Sequence, residues 1–265
     1  MKKFVSMFLA LVMCLTLTAP VYALEESNSS DSVDVLYIEG QYVQVDNNLS
    51  QEKRDELINL MKETNFIPEG IVCDIGQTHG WYDEEKDDKA ASYVISPDKF
   101  WCTIVSTKLD MPGYDAFKLS AIGQWKNSPT DPIFVFDDVM AMCWSGNLSL
   151  YNNSARTFYK TSDGVSHELT NQAVCSKVTP SAGIAYTVPT RVLSNLTYYY
   201  LWYIQIDAYI RTPDTVGTAN AVAQYAHKYI GGDVIVNFLS NLPDLSFSGA
   251  AIDNLSEPGY CELVY

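Results

Sequence analysis

From Ile71 onward, apolar and polar residues alternate with a period of two, interrupted every dozen or so positions by Gly, Pro, Asn or Asp. Such runs predict strands near 71–75, 92–95, 100–108, 115–126, 133–136, 139–150, 156–161, 183–188, 197–211, 218–230, 233–239 and 260–265. Val35 to Val45 reads as a further strand ahead of them. In 198–210 the even positions, from Tyr198 and Tyr200 through Trp202 to Ile210, are all apolar, whereas the odd ones include Gln205 and Asp207. That pattern predicts one buried face and one partly wet face.

One segment departs from the period of two. Ser50 is a good helix cap, and Glu52, Asp55 and Glu56 lie in the early turns, where the helix dipole favours acids. Leu57, Leu60, Met61 and Thr64 then recur at helical spacing until Pro68-Glu69-Gly70, which predicts an amphipathic helix near 50–64. The whole reads as a mainly β chain: an antiparallel β-sandwich, or a partly open barrel, with one N-terminal helix and a single domain over 35–265.

Gly231-Gly232 is a two-residue hairpin signal, because glycine accepts the positive φ that such turns require. A hairpin there would set His227 opposite Val236 and Tyr225 opposite Phe238, on one apolar face. His227 would then point into the core.

The first 23 residues follow a different rule. Lys2 and Lys3 precede an apolar run from Phe4 to Leu17, and Ala19-Pro-Val-Tyr-Ala23 ends it with small residues. This is the form of a secretory signal peptide, and its apolar part is too short to span a bilayer. Residues 24–34 are acidic and Ser-rich and read as a disordered leader. The expected location of the mature protein is extracellular.

The chain carries a net charge of −15, and loss of the signal would make it more negative. Such acidity works against nucleic acid and anionic lipid, both of which need Lys and Arg to neutralise phosphate. Membrane insertion is not expected either: a β toxin would want long Ser- and Thr-rich amphipathic hairpins, and the 218–239 hairpin is short and apolar on one side. Cys73, Cys102, Cys143, Cys175 and Cys261 lie beyond the signal, an odd number in a compartment that permits disulfides. Cys102 and Cys143 sit in apolar runs, where a thiol packs as a small hydrophobe; no pairing follows from the sequence.

Candidate chemistry is sparse. His79, Trp81, Tyr82 and Asp83 open a segment dense in aromatic and acidic residues, which can stack on a sugar or lie as solvated charge. A calcium loop starting at Asp83 fails, since its sixth position is Asp88 rather than Gly. Ser145 lacks the first glycine of a nucleophile elbow, and there is no His-Glu-x-x-His or Cys-x-x-Cys. Asp137 and Asp138 are neighbours on a strand, so their side chains point to opposite faces. Neither a metal nor a cofactor is expected, and no catalytic residue is nominated.

Gln124-Trp-Lys-Asn127, Asp138-Val-Met-Ala-Met-Cys-Trp-Ser-Gly-Asn147 and Gly217-Thr-Ala-Asn-Ala-Val-Ala-Gln-Tyr-Ala-His-Lys-Tyr229 resemble stretches of uncharacterised small secreted β-rich proteins of Gram-positive bacteria. The resemblance implies bacterial origin and export, and carries no activity or binding residues with it. The functional expectation is a secreted, non-enzymatic protein that binds a glycan or a surface protein at the bacterial envelope or on a host. The alternative is a secreted carbohydrate-directed hydrolase whose carboxylates come from separate strands.

Overall fold

The computed structural model describes residues 33–38, 40–64, 67–68, 70–75, 94–96, 99–109, 111–126, 136–213, 215–228, 234–239, 244–248 and 252–265. The expected signal peptide at 1–23, most of the expected leader at 24–34, His79, Trp81, Tyr82, Asp83 and the turn expected at Gly231-Gly232 lie outside the described residues.

In chain order the elements are β1 (Val33–Ile38), β2 (Gln41–Asp46), helix α1 (Gln51–Thr64), β3 (Ile71–Ile75), β4 (Val94–Ile95), β5 (Phe100–Leu109), β6 (Ala116–Trp125) and β7 (Asp137–Trp144). They continue with β8 (Ser149–Lys160), β9 (Ser166–Glu168), β10 (Val174–Thr179), β11 (Gly183–Pro189), β12 (Arg191–Ser194) and β13 (Thr197–Arg211). The last are β14 (Thr218–Lys228), β15 (Ile235–Leu239), β16 (Asp244–Ser248), β17 (Ile252–Ser256) and β18 (Gly259–Val264).

The chain is mainly β, with one helix among the described residues. A first sheet runs β1-β2-β3-β5-β6-β13-β8-β9, with β12 extending β13. A second runs β10-β11-β7-β14-β17-β4, with β18 alongside the other half of β14. Their inner faces meet in a core of large side chains, among them Ile104, Leu119, Met140, Trp144, Ile206 and Tyr225.

Alternation explains why both sheets are buried on two sides. On β7, Met140, Met142 and Trp144 face the main core, while Val139, Ala141 and Cys143 face outward. That small-residue face is covered by the β15–β16 hairpin through Val236 and Leu245. On the far side of the first sheet, Val105 and Ile122 meet Leu57, Leu60 and Met61 of α1. The backbone N–H of Lys53 donates to Ser50 Oγ at 3.3 Å, the cap expected from the sequence.

Several local expectations change. The single strand at 35–45 is a hairpin that turns at Gly40, whose φ is +84°, and it begins at Val33, inside the expected leader. The run at 139–150 is cut at Ser145-Gly146, where the Ser145 hydroxyl accepts the Asn220 N–H at 2.9 Å. The 218–239 hairpin does not form. Instead β14 pairs with β7 on one edge and with β17 and β18 on the other, while β15 pairs with β16. His227 therefore opposes Asn254 rather than Val236, yet it is buried, as anticipated on a different pairing.

The periodicity of β13 also breaks. A bulge lies between Leu201 and Tyr203 on the edge facing β8. Leu201 faces the main core before the bulge, and Ile204, Ile206 and Ala208 do so after it. The inserted residue changes the parity, so Tyr203 joins the helix-side cluster. Gln205 and Asp207, read as partly wet, are buried.

Candidate binding site

A second bulge builds a surface cluster of aromatic rings around an arginine. On β8, Asn152 opposes Tyr209 and Leu150 opposes Ile210, leaving Tyr151 as the extra residue. A bulged residue is re-aimed relative to simple alternation. Here the Tyr151 ring lies 6.1 Å from that of Tyr209 and 5.2 Å from the Arg211 guanidinium.

Tyr114, in the turn between β5 and β6, completes the cluster. The Arg211 guanidinium stands 4.3 Å from its ring centroid, and Arg211 Nη2 donates to its hydroxyl at 3.4 Å. Arg211 is thus held against two phenol rings, and Lys118 Nζ lies 5.6 Å from the Tyr209 centroid. Burial pushes the Tyr151 phenol up, reinforced by Tyr114 and opposed by the Arg211 charge. The hydroxyl therefore stays a neutral donor and acceptor at ordinary pH.

Next to this group opens a cleft of about 440 Å³, lined by Tyr114, Asp115, Thr212, Thr215, Val216 and Tyr265 among others. Backbone bonds fix its walls. Thr212 N–H donates to Asp115 O at 3.2 Å, and Gly217 and Tyr265 exchange a pair of bonds at 2.6 and 3.0 Å. The site combines flat aromatic faces with a guanidinium, a carboxylate and hydroxyls. A sugar ring offers the matching chemistry, with apolar C–H faces and polar edges.

Behind the platform the same sheet face carries a buried polar chain. Tyr203 OH donates to Gln205 Oε1 at 2.9 Å, and Gln205 Nε2 donates to Asp207 Oδ1 at 2.9 Å. Ser120 Oγ donates to Asp207 at 2.7 Å, and Lys118 Nζ lies 3.5 Å from its Oδ2. Lys118 links the two groups, neutralising Asp207 while its ammonium lies near Tyr209.

A second buried group lies in the main core. Asp138 accepts bonds from Tyr225 OH and from Lys228 N–H at 2.9 Å, and its Oδ2 shares a hydrogen bond with His227 Nδ1 at 2.7 Å. Trp125 packs edge-on to His227 at 5.3 Å, and Phe100 stacks on Tyr225 at 4.3 Å. Burial raises the Asp138 carboxyl above its ordinary range and raises the Tyr225 phenol well above its own, so Tyr225 serves as a donor. Asp137, its sequence neighbour, is exposed, in keeping with the opposite orientation expected.

The residues nominated from sequence, His79, Trp81, Tyr82 and Asp83, lie outside the described residues. Their nomination rested on local density. Tyr114, Tyr151 and Arg211 are far apart in sequence, and no local signal joins them. His167 lies in short β9, where its ring meets Tyr199 edge-on at 5.3 Å. Among the described residues no cluster of three or more His, Cys, Asp or Glu is arranged to hold a metal ion.

No known protein family matches the chain, and no curated protein does. Among solved structures it is similar to a pore forming protein at 8% identity, covering 87% of this chain and 95% of that one with a TM-score of 0.36. It is also similar to AvmM, which catalyses macrocyclization in alchivemycin A biosynthesis, at 9% identity, covering 61% of this chain and 88% of that one with a TM-score of 0.25. The class defined by the structure itself is a mainly β, layered protein with an aromatic–arginine cleft.

Proposed function

We propose that this is a secreted, non-enzymatic binding protein of bacterial origin, acting at the cell envelope or on a host surface, and that a glycan is its ligand. The observation that carries the reading is Arg211, held against Tyr114 and Tyr151, with Tyr114 also lining the adjacent cleft. The rings would take the C–H face of a sugar, and Arg211, Asp115 and Thr212 its hydroxyls. Because the arginine is held in place before a ligand arrives, less side-chain entropy is lost on binding.

The alternative, a carbohydrate-directed hydrolase, needs two carboxyl groups about 5–10 Å apart across a substrate. Among the described residues, Asp115 is the one carboxylate side chain lining the cleft, and Asp138 is the one at the centre of the buried cluster. This favours binding over catalysis.

The test is binding of the purified protein to glycan arrays and isolated cell walls, beside Arg211→Ala. The reading expects glycan binding by the wild type and its loss in the variant without a change in fold. Silence of the wild type on every glycan and wall, or capture only through a surface protein, would overturn the glycan assignment.

A further inference from the structure

The opposite end of β13 carries a second feature. Strands β12 and β13 form a hairpin in which Ser194 pairs with Thr197, leaving Asn195 and Leu196 as a two-residue turn. Both have positive φ, +49° and +63°. That geometry favours Gly or Asn, and a leucine in it is strained. Yet this Leu196 is 96% exposed, with Leu193 57% and Tyr198 46% exposed behind it. An apolar side chain held in water by an unfavourable backbone stabilises nothing within the molecule, and strain of this kind marks functional sites.

The surroundings indicate what meets the tip. The Arg191 guanidinium lies 4.6 Å from the Tyr198 ring centroid, so a cation and an amphipathic ring flank the leucines. In a chain of 32 Asp and Glu, the whole run from Leu169 to Ile206 contains neither. The hairpin therefore approaches a phosphate-bearing surface without the repulsion that the rest of the chain would meet. A convex tip suits a soft interface rather than a preformed pocket, and tyrosine rings sit at the headgroup level of bilayers.

We infer that the β12–β13 hairpin is a shallow docking element for a phospholipid bilayer, seating Leu196 and Leu193 among the upper acyl chains, Tyr198 at the headgroups and Arg191 on phosphate. The depth is that of one turn, not a span. Tyr198 and Arg211 are 13 residues apart on one strand, roughly 40 Å at ~3.3 Å per residue, so this site is separate from the glycan cleft. The inference does not depend on the glycan reading.

The experiment is flotation of the wild type, Leu196→Asp and Leu196→Gly with phosphatidylcholine vesicles, and with vesicles that also contain phosphatidylglycerol. The wild type is expected to float with phosphatidylcholine vesicles, and both variants to stay in solution. Leu196→Gly also relieves the turn, so its Tm should rise by a few degrees while vesicle binding falls. A purely structural leucine would not show that opposite pair of changes. Failure of the wild type to bind either vesicle, or equal binding by all three proteins, would overturn the inference. Glycan binding by Leu196→Asp should be unchanged, which keeps the two sites distinguishable.

Discussion

His227 Nδ1 lies 2.7 Å from Asp138 Oδ2, although 89 residues separate the two in sequence. The register places them together: Tyr225 opposes Met140 and Ala226 opposes Val139, so the next pair along the ladder is His227 and Asp138. Both point into the main core, where Asp138 also receives Tyr225 OH and Lys228 N–H. Truncation would take the acceptor from Tyr225 OH and Lys228 N–H and the hydrogen-bond partner from His227 Nδ1. Asp138→Ala should cost about 3 kcal/mol or more in chemical denaturation, since each buried polar group left unsatisfied costs about 1–3 kcal/mol. Tyr225→Phe, which removes one bond and keeps the packing, should cost about 1–2 kcal/mol. Equal and small losses would mean that the cluster is not the polar anchor described.

The same carboxyl gives a pH dependence. Burial holds it above the usual carboxylate range, outweighing the bonds from His227 and Tyr225 that pull the other way. A raised folded value means that the native state favours the proton. This contribution is full below the unfolded value near 3.8 and is lost as pH rises through the folded value. Urea titrations at stepped pH should show the wild type losing stability relative to Asp138→Asn over that window. Other acids titrate in both proteins and cancel. Parallel profiles would contradict the assignment.

Gly259 of β18 lies directly against the backbone of Thr103 on β5, where the two sheets approach closely. A Cβ built there would sit 2.7 Å from Thr103 Cα and 2.9 Å from Thr103 C, backbone atoms that cannot swing aside. Gly259→Ala should destabilise by about 1–3 kcal/mol, the usual range for overpacking. At Gly40 nothing lies within 4 Å, so alanine there meets only the strain of a φ of +84°. Thermal unfolding of the pair should therefore rank Gly259→Ala as the less stable. The reverse order would place the sheet contact elsewhere.

The cysteines offer a chemical readout. Among the described residues Cys73, Cys102, Cys175 and Cys261 carry free thiols, and Cys175 is the exposed one. Burial pushes Cys102 up to about 12 and Cys73 and Cys261 up to about 11, leaving little thiolate at neutral pH. A thiol reagent should label Cys175 first in the native protein, and Cys73, Cys102 and Cys261 only after denaturation. Reductant should leave Tm unchanged. Any of these four that stays unlabelled in the denatured, unreduced chain would reveal a disulfide.

Much of the layered architecture was legible in the alternation, because a strand buried on one face must repeat every second residue. Strand β13 was bounded correctly at 197–211, and α1 was readable from Ser50 and the Leu57, Leu60, Met61 stripe. The hairpin at Gly231-Gly232 misled because a turn signal is local, whereas pairing is settled by burial. Val236 and Leu245 alternate so as to cover the small residues Val139, Ala141 and Cys143, which draws β15 to β16. The buried pair was half legible. His227 was placed in the core, but Asp138 was judged only against Asp137, its neighbour in sequence. The aromatic–arginine platform was not legible, because a one-residue bulge at Tyr151 leaves no mark in the pattern that distinguishes it from an ordinary strand.

That bulge gives the most direct test of the binding account. Deleting Tyr151 restores plain alternation to β8 and removes the ring that holds one side of Arg211, while leaving the core-facing residues in register. Affinity for purified cell-wall polysaccharide should be measured for the wild type and the deletion, with circular dichroism confirming the fold of each. The account predicts saturable binding by the wild type and a loss of about tenfold or more in the deletion, corresponding to about 1.4 kcal/mol. Undiminished binding by a folded deletion variant would contradict it.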